Sequence, residues 1–163
     1  MILGFIVAFL GFPLLTFLPV ITKDVFHQDV GFYSRLMTFS GAGAVTGAIF
    51  VAYLGKHRHI DRLLLGSLLL FGGAMVVFSL SRHAASSAIV LFIAGSLLVT
   101  CTALTTSLAQ LLAPAELRGR VVSIYMVAFR GGSPLGGLAS GWLVTQVGSA
   151  PKVLMVNGIL LSI

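Results

Sequence analysis

Arg130 is the costliest residue in this chain to place. It stands about ten positions inside the apolar run 121–145, and no other Lys, Arg, Asp or Glu falls inside an apolar run of the sequence. A guanidinium near the middle of a bilayer is unfavourable unless it faces a bundle interior or a water-filled path. Arg130 therefore reads as a cation on a transport path, contacting an anionic or polar part of a substrate or pairing with a carboxylate. That carboxylate would have to come from elsewhere, because the apolar runs hold no acid. The plainer alternative is a side chain that snorkels to an interface. Gln110 and Thr105, in the preceding run, are further candidates for the path. Threonines in such helices mostly bond their own backbone.

Just ahead of the Arg130 helix lies a charged turn with Glu116, Arg118, Gly119 and Arg120. Two guanidiniums there serve as topology charges, and they also suit a conformational latch. They can bond helix-end carbonyls or an acid on a neighbouring bundle in one state and part in the other. Gly119 between them allows a tight backbone approach. After Arg130 come Gly132, Ser133, Pro134, Gly136, Gly137, Ser140 and Gly141. Ser133, Gly137 and Gly141 recur at i, i+4 and i+8, flanked by Gly132, Gly136 and Ser140. This spacing predicts a broad groove nearly free of side chains, for a static or a sliding helix contact. Pro134 adds a bend.

Other chemistries find no support. His27, His57, His59 and His83 all fall in loops, and no cysteine stands near them, so no metal site is expected. No nucleophile–base pairing, phosphate loop or dinucleotide fingerprint is present. Neither an enzyme nor a bound cofactor is expected.

The elements that position these residues follow from composition. The chain of 163 residues is 58% hydrophobic and 9% charged, with a mean hydropathy of +1.09. A soluble domain carries about 25% charged residues, so the bilayer is this chain's solvent. The +6 formal charge is scattered through short breaks between apolar runs. That excludes a nucleic-acid stripe and suits topology charges and anionic headgroups. The sole cysteine, Cys101, rules out an intrachain disulfide and reads as packing.

Apolar runs predict five full spans at 2–22, 36–54, 63–80, 88–112 and 121–145, and a truncated sixth at 153–163. The expected fold is an all-α polytopic transmembrane helix bundle. Pro13 and Pro19 predict a kinked first span. Gly43 and Gly47, four apart in the second, predict a close helix contact. Basic residues in short loops favour the 55–62 and 113–120 loops in the cytoplasm. The abrupt apolar start and the short last segment suggest a piece of a larger protein.

The segment Gln110 to Gly141 resembles the drug and siderophore (enterobactin exporter-like) efflux branch of the major facilitator superfamily. The likeness rests on Pro114, Leu117-Arg118-Gly119-Arg120-Val121, Ser123, Tyr125, and the cluster of Gly131 with Pro134-Leu135-Gly136. Leu18-Pro19, Asp24-Val25-Phe26, Gly31, Tyr33 and Gly43/Gly47 extend it over nearly the whole chain. The resemblance implies the C-terminal six-helix half of a twelve-helix secondary transporter in the bacterial inner membrane. It implies proton-coupled, alternating-access efflux of a drug-like or siderophore-like small molecule. The partners implied are membrane lipids and an N-terminal six-helix half that supplies half the cavity and the titrating acid. Asp61-Arg62 stands where the superfamily's second loop motif falls, though Leu63 to Leu65 replace its usual basic residues. The competing reading is a small stand-alone membrane subunit that oligomerises through its glycine-rich helix faces.

Overall fold

The computed structural model describes residues 2–54 and 60–162. Lys56, His57, Arg58 and His59 lie outside the described residues. Among the described residues all regular structure is helical. The order is α1 (Ile2–Gly11), α2 (Pro13–Thr16), α3 (Leu18–Asp24), α4 (Val30–Leu54), α5 (Ile60–Leu80), α6 (Ala84–Leu112), a 3-10 turn (Ala115–Leu117), α7 (Arg118–Val147) and α8 (Ala150–Leu161).

The helices α1 to α3 follow one another as a single interrupted rod. Proline has no N–H, so Pro13 and Pro19 leave the carbonyls of Phe9 and Leu15 without their helical donors. The backbone nonetheless stays right-handed helical at the junction residues Phe12 and Phe17. The Phe17 N–H donates to Pro13 O at 2.9 Å, and the Ile21 N–H to Phe17 O at 2.9 Å.

The other helices run further than their apolar stretches. α4 begins at Val30, six residues before the expected Leu36. Asp29 O accepts the N–H groups of Phe32 and Tyr33. The hydroxyls of Ser34 and Thr38 bond carbonyls four residues back, at 3.0 and 2.9 Å. The backbone is thus satisfied within the helix whether the outer side chains are apolar or polar. Likewise α7 starts at Arg118 and α8 at Ala150, which reduces the expected 146–152 loop to Gly148 and Ser149. Gly148 ends α7 at φ 68°, a left-handed conformation that costs glycine little, and its N–H bonds Val144 O. Pro151 then opens α8, where its missing N–H costs no helical bond.

Among the described residues four stretches are long and apolar enough to cross a bilayer: Ile2–Asp24, Val30–Tyr53, Ile60–Leu80 and Ala84–Leu112. The 30-residue α7 is about 45 Å long at the standard rise, but it falls outside that set, with Arg130 and a run of small residues in its middle. Large apolar side chains point outward, among them Val45, Leu70, Val127 and Leu138, each more than half exposed. Water would penalise such a surface and lipid tails do not. The chain is an all-α polytopic membrane protein.

Lipid offers little hydrophobic drive for one helix to join another, so close packing has to hold the bundle. Glycines provide it. A Cβ on Gly43 or Gly47 of α4 would collide with the carbonyls of Phe92 or Ser96 on α6. In return, a Cβ on Gly95 of α6 would strike Ser40 O on α4. Gly72 of α5 and Gly158 of α8 face each other in the same way. Between α1 and α7, Gly132 meets Ala8 and Phe5 O, and Gly136 meets Phe9 O. That last carbonyl is the one Pro13 deprives of its donor, so the glycine gives it a Cα–H neighbour.

Two side-chain bonds tie helices inside this packing. Asn157 Nδ2 of α8 donates to Ser140 Oγ of α7 at 3.0 Å, with both residues buried. The Cys101 thiol of α6 donates to Ser67 Oγ of α5 at 3.3 Å. Thermal unfolding of the full-length protein in detergent should read these contacts. Gly95→Leu overpacks a backbone contact and should cost about 1–3 kcal/mol, whereas Gly73→Leu, where a Cβ meets nothing within 4 Å, should be close to neutral. Asn157→Leu should cost about 0.6–1.7 kcal/mol, the range of buried interhelical hydrogen bonds in membranes.

Candidate functional site

α6 and α7 enclose a cleft of about 420 Å³. On α6 it is lined by Thr102, Ala103, Thr106 and Ser107, and on α7 by Tyr125, Met126 and Phe129. Thr102, Thr106 and Gln110 fall at i, i+4 and i+8, so they share one helical line. Thr102 Oγ1 donates to Val99 O at 3.0 Å and Thr106 Oγ1 to Thr102 O at 2.7 Å. Their hydroxyl protons are thus committed to their own helix, while their lone pairs stay available to a donor in the cleft.

Tyr125 is the most constrained residue of the site. Its ring stacks on Phe129 with centroids 6.0 Å apart, and it fills the space over Gly4 of α1 where a Cβ would stand. Phe12, beside the Pro13 interruption, meets Phe129 edge-on at 5.5 Å. The tyrosine is 2% exposed, and its hydroxyl faces Thr106 without closing a hydrogen bond within 3.5 Å among the described residues. A buried, unpaired hydroxyl is unfavourable by about 1–3 kcal/mol. Such a group suits a site that a polar ligand completes.

The other candidate residues divide around this cleft. Arg130 is exposed and follows Met126 by four residues, one turn further along α7. Pro134 lies inside α7 and withdraws the N–H that would otherwise bond Arg130 O. Gln110 is exposed at the end of the threonine line. Thr105 lies off that line. It is buried and donates to its own helix at Cys101 O, 2.6 Å away.

The charged turn is exposed at Glu116, Arg118, Gly119 and Arg120. Arg118 Nε donates to Ala113 O at 3.4 Å, and Ala113 is the residue that caps the C-terminus of α6. Among the described residues, no other element comes within 4 Å of the Cβ position at Gly119. Asp61 and Arg62 are exposed in the first turn of α5.

The small residues of α7 separate into two lines. Gly132, Gly136 and Ser140 are buried, the glycines against α1 and Ser140 against Asn157 of α8. At Gly137 and Gly141 a Cβ would meet nothing within 4 Å, and Pro134 is exposed. The single broad groove expected from the sequence is therefore half closed and half open.

Sequence reasoning missed the roles of Thr102, Thr106, Phe129 and Asn157. The i, i+4 repeat of threonines was the available signal for the first two. Nothing in the one-dimensional pattern marks the Tyr125 hydroxyl as unpaired, because that depends on what α1 and α6 place around it. Among the described residues no group of His, Cys, Asp or Glu is arranged to hold a metal ion.

A family model described as transmembrane secretion effector matches residues 1–163. No curated protein and no solved structure matches the chain. The helical, lipid-facing architecture agrees with a match over that whole length, and the chain belongs to the transmembrane secretion effector family, membrane transporters of the major facilitator type.

Proposed function

We propose that this chain is the C-terminal half of a twelve-helix secondary transporter, with α7 as its fifth span. In this reading it exports a drug-like or siderophore-like small molecule from the bacterial cytoplasm by alternating access. The observation that carries the reading is the α6–α7 cleft. It combines an aromatic wall, a line of hydroxyl acceptors, an orphaned buried tyrosine hydroxyl and an exposed arginine one turn away. Its volume falls in the range of roughly 300–1,000 Å³ typical of drug-sized ligand sites. The chemistry favours an amphipathic substrate, with its apolar body against Phe129 and Met126 and an anionic or acceptor group towards Arg130.

The chain's four acids, Asp24, Asp29, Asp61 and Glu116, all stand at helix ends or in links. Proton coupling therefore assigns the titrating carboxylate to the other half, within reach of Arg130. The Arg118 bond to the end of α6 is the contact we assign to the latch, made in one state of the cycle and broken in the other. The open line of Gly137 and Gly141, with Pro134 beside it, is the surface we assign to the moving contact between halves. A stand-alone structural subunit would also use that line, but the full-length match to a transporter family favours transport.

Efflux by cells expressing the full-length protein tests the reading, with a panel of dyes and siderophores as substrates. Arg130→Ala should abolish efflux at near-normal membrane abundance; full efflux would remove Arg130 from the path. Tyr125→Phe should separate two effects. It removes an unsatisfied buried hydroxyl, so thermal stability should hold or rise, while the KM for transport should rise about tenfold for one lost hydrogen bond of about 1.4 kcal/mol. An unchanged KM would show that the hydroxyl never meets the substrate.

A further inference from the structure

A second cavity, of about 500 Å³, lies away from the transport cleft, between α4, α5 and α6. Its walls are hydrocarbon, with Phe50 from α4, Leu63 and Leu70 from α5, and Leu97 and Leu104 from α6. Three of the four hydroxyls that border it are spent on their own helices: Thr46 donates to Gly43 O at 2.7 Å, Ser67 to Leu64 O at 2.8 Å and Thr100 to Ser96 O at 2.8 Å, and Ser96 is the fourth. Among the described lining residues one is charged, Arg62, and it stands in the first turn of α5.

The dimensions identify an occupant. The α5 wall, which carries the charge, runs from Arg62 to Leu70, about 12 Å at the standard rise, within the first half of the Ile60–Leu80 helix. One leaflet of a hydrocarbon core about 30 Å thick is about 15 Å deep. Along α5 the groove therefore reaches from headgroup level to about mid-depth, with Arg62 at the end where α4 finishes and α5 starts. A guanidinium there lies at headgroup level and presents a fork of donors that matches a phosphate. The helix end it stands on adds positive potential. Asp61, the neighbouring acid, is exposed and does not line the groove.

We propose that the α4–α5–α6 groove is a binding site for an anionic glycerophospholipid, which lays one acyl chain along Leu63, Leu70 and Leu104 and sets its phosphate on Arg62. The lipid comes from the leaflet on the side of the link between α4 and α5. Glycine at 66 is part of this fit. It lines the groove, and a Cβ there meets nothing within 4 Å, so a larger side chain would enter the groove without disturbing a helix contact.

Native mass spectrometry of the purified full-length protein tests the site. The protein is held in mixed micelles with equal phosphatidylglycerol and phosphatidylcholine of identical acyl chains. Wild type should retain phosphatidylglycerol about fivefold over phosphatidylcholine, the preference one basic residue confers near an anionic headgroup. Arg62→Gln should erase the preference and Arg62→Lys should keep most of it. Gly66→Leu should reduce retention of both lipids at unchanged thermal stability. An absent preference in wild type, a preference that survives Arg62→Gln, or retention that survives Gly66→Leu would each overturn the assignment.

Discussion

The structure depends on backbone meeting backbone inside lipid. Apolar surface drives little association there, because lipid tails solvate leucine as well as another leucine does. What remains is contact distance, and distance is set by which side chains are missing. Gly43 and Gly47 admit the carbonyls of Phe92 and Ser96, Gly95 admits that of Ser40, and Gly72 and Gly158 admit each other. Each pair brings two helices close enough for dispersion and Cα–H···O contacts to count. The α1–α7 pair adds a coupling between distant features. Pro13 frees the Phe9 carbonyl, and Gly136 gives it somewhere to go.

That packing also fixes the cleft between α6 and α7. Gly4 makes room for the Tyr125 ring, and Phe129 and Phe12 hold the ring's neighbours in stacked and edge-on contact. The tyrosine hydroxyl is left buried and, among the described residues, unpaired as a consequence. The two small-residue lines of α7 then serve different ends. One is closed against α1 and α8 and holds α7 in this bundle. The other is open at Gly137 and Gly141, beside a proline that loosens the helix at the level of Arg130. A helix locked on one side and smooth on the other suits one face of a rocking bundle.

Much of this was legible in the order of residues. Composition alone requires a membrane solvent, and the runs between charged breaks place the helices. The Gly43/Gly47 pair announces a close contact, which α4 makes with the carbonyls of Phe92 and Ser96. Other features were hidden for physical reasons. Helix ends extend past hydropathy boundaries because backbone bonds ignore side-chain polarity, so Val30 to Arg35 is helical although it reads as a polar link. The partners of each glycine are set by the fold, which is why one α7 groove became two faces. Thr105 and Thr106 are adjacent and chemically identical, and only the rotation of α6 sends the first to Cys101 O in the core and the second to the cleft.

The most direct measurement concerns the open face of α7. Cys101 is the only cysteine of this chain, so a background in which Cys101 and any cysteine of the other half are replaced by Ser, carrying Gly137→Cys, reports one position in the full-length transporter. Labelling by a water-soluble maleimide in membranes, with and without transported substrate, reads whether that face meets water and whether access changes through the cycle. The account predicts ready labelling in one condition and protection in the other. A position that is labelled equally in both conditions, or never labelled, would contradict it.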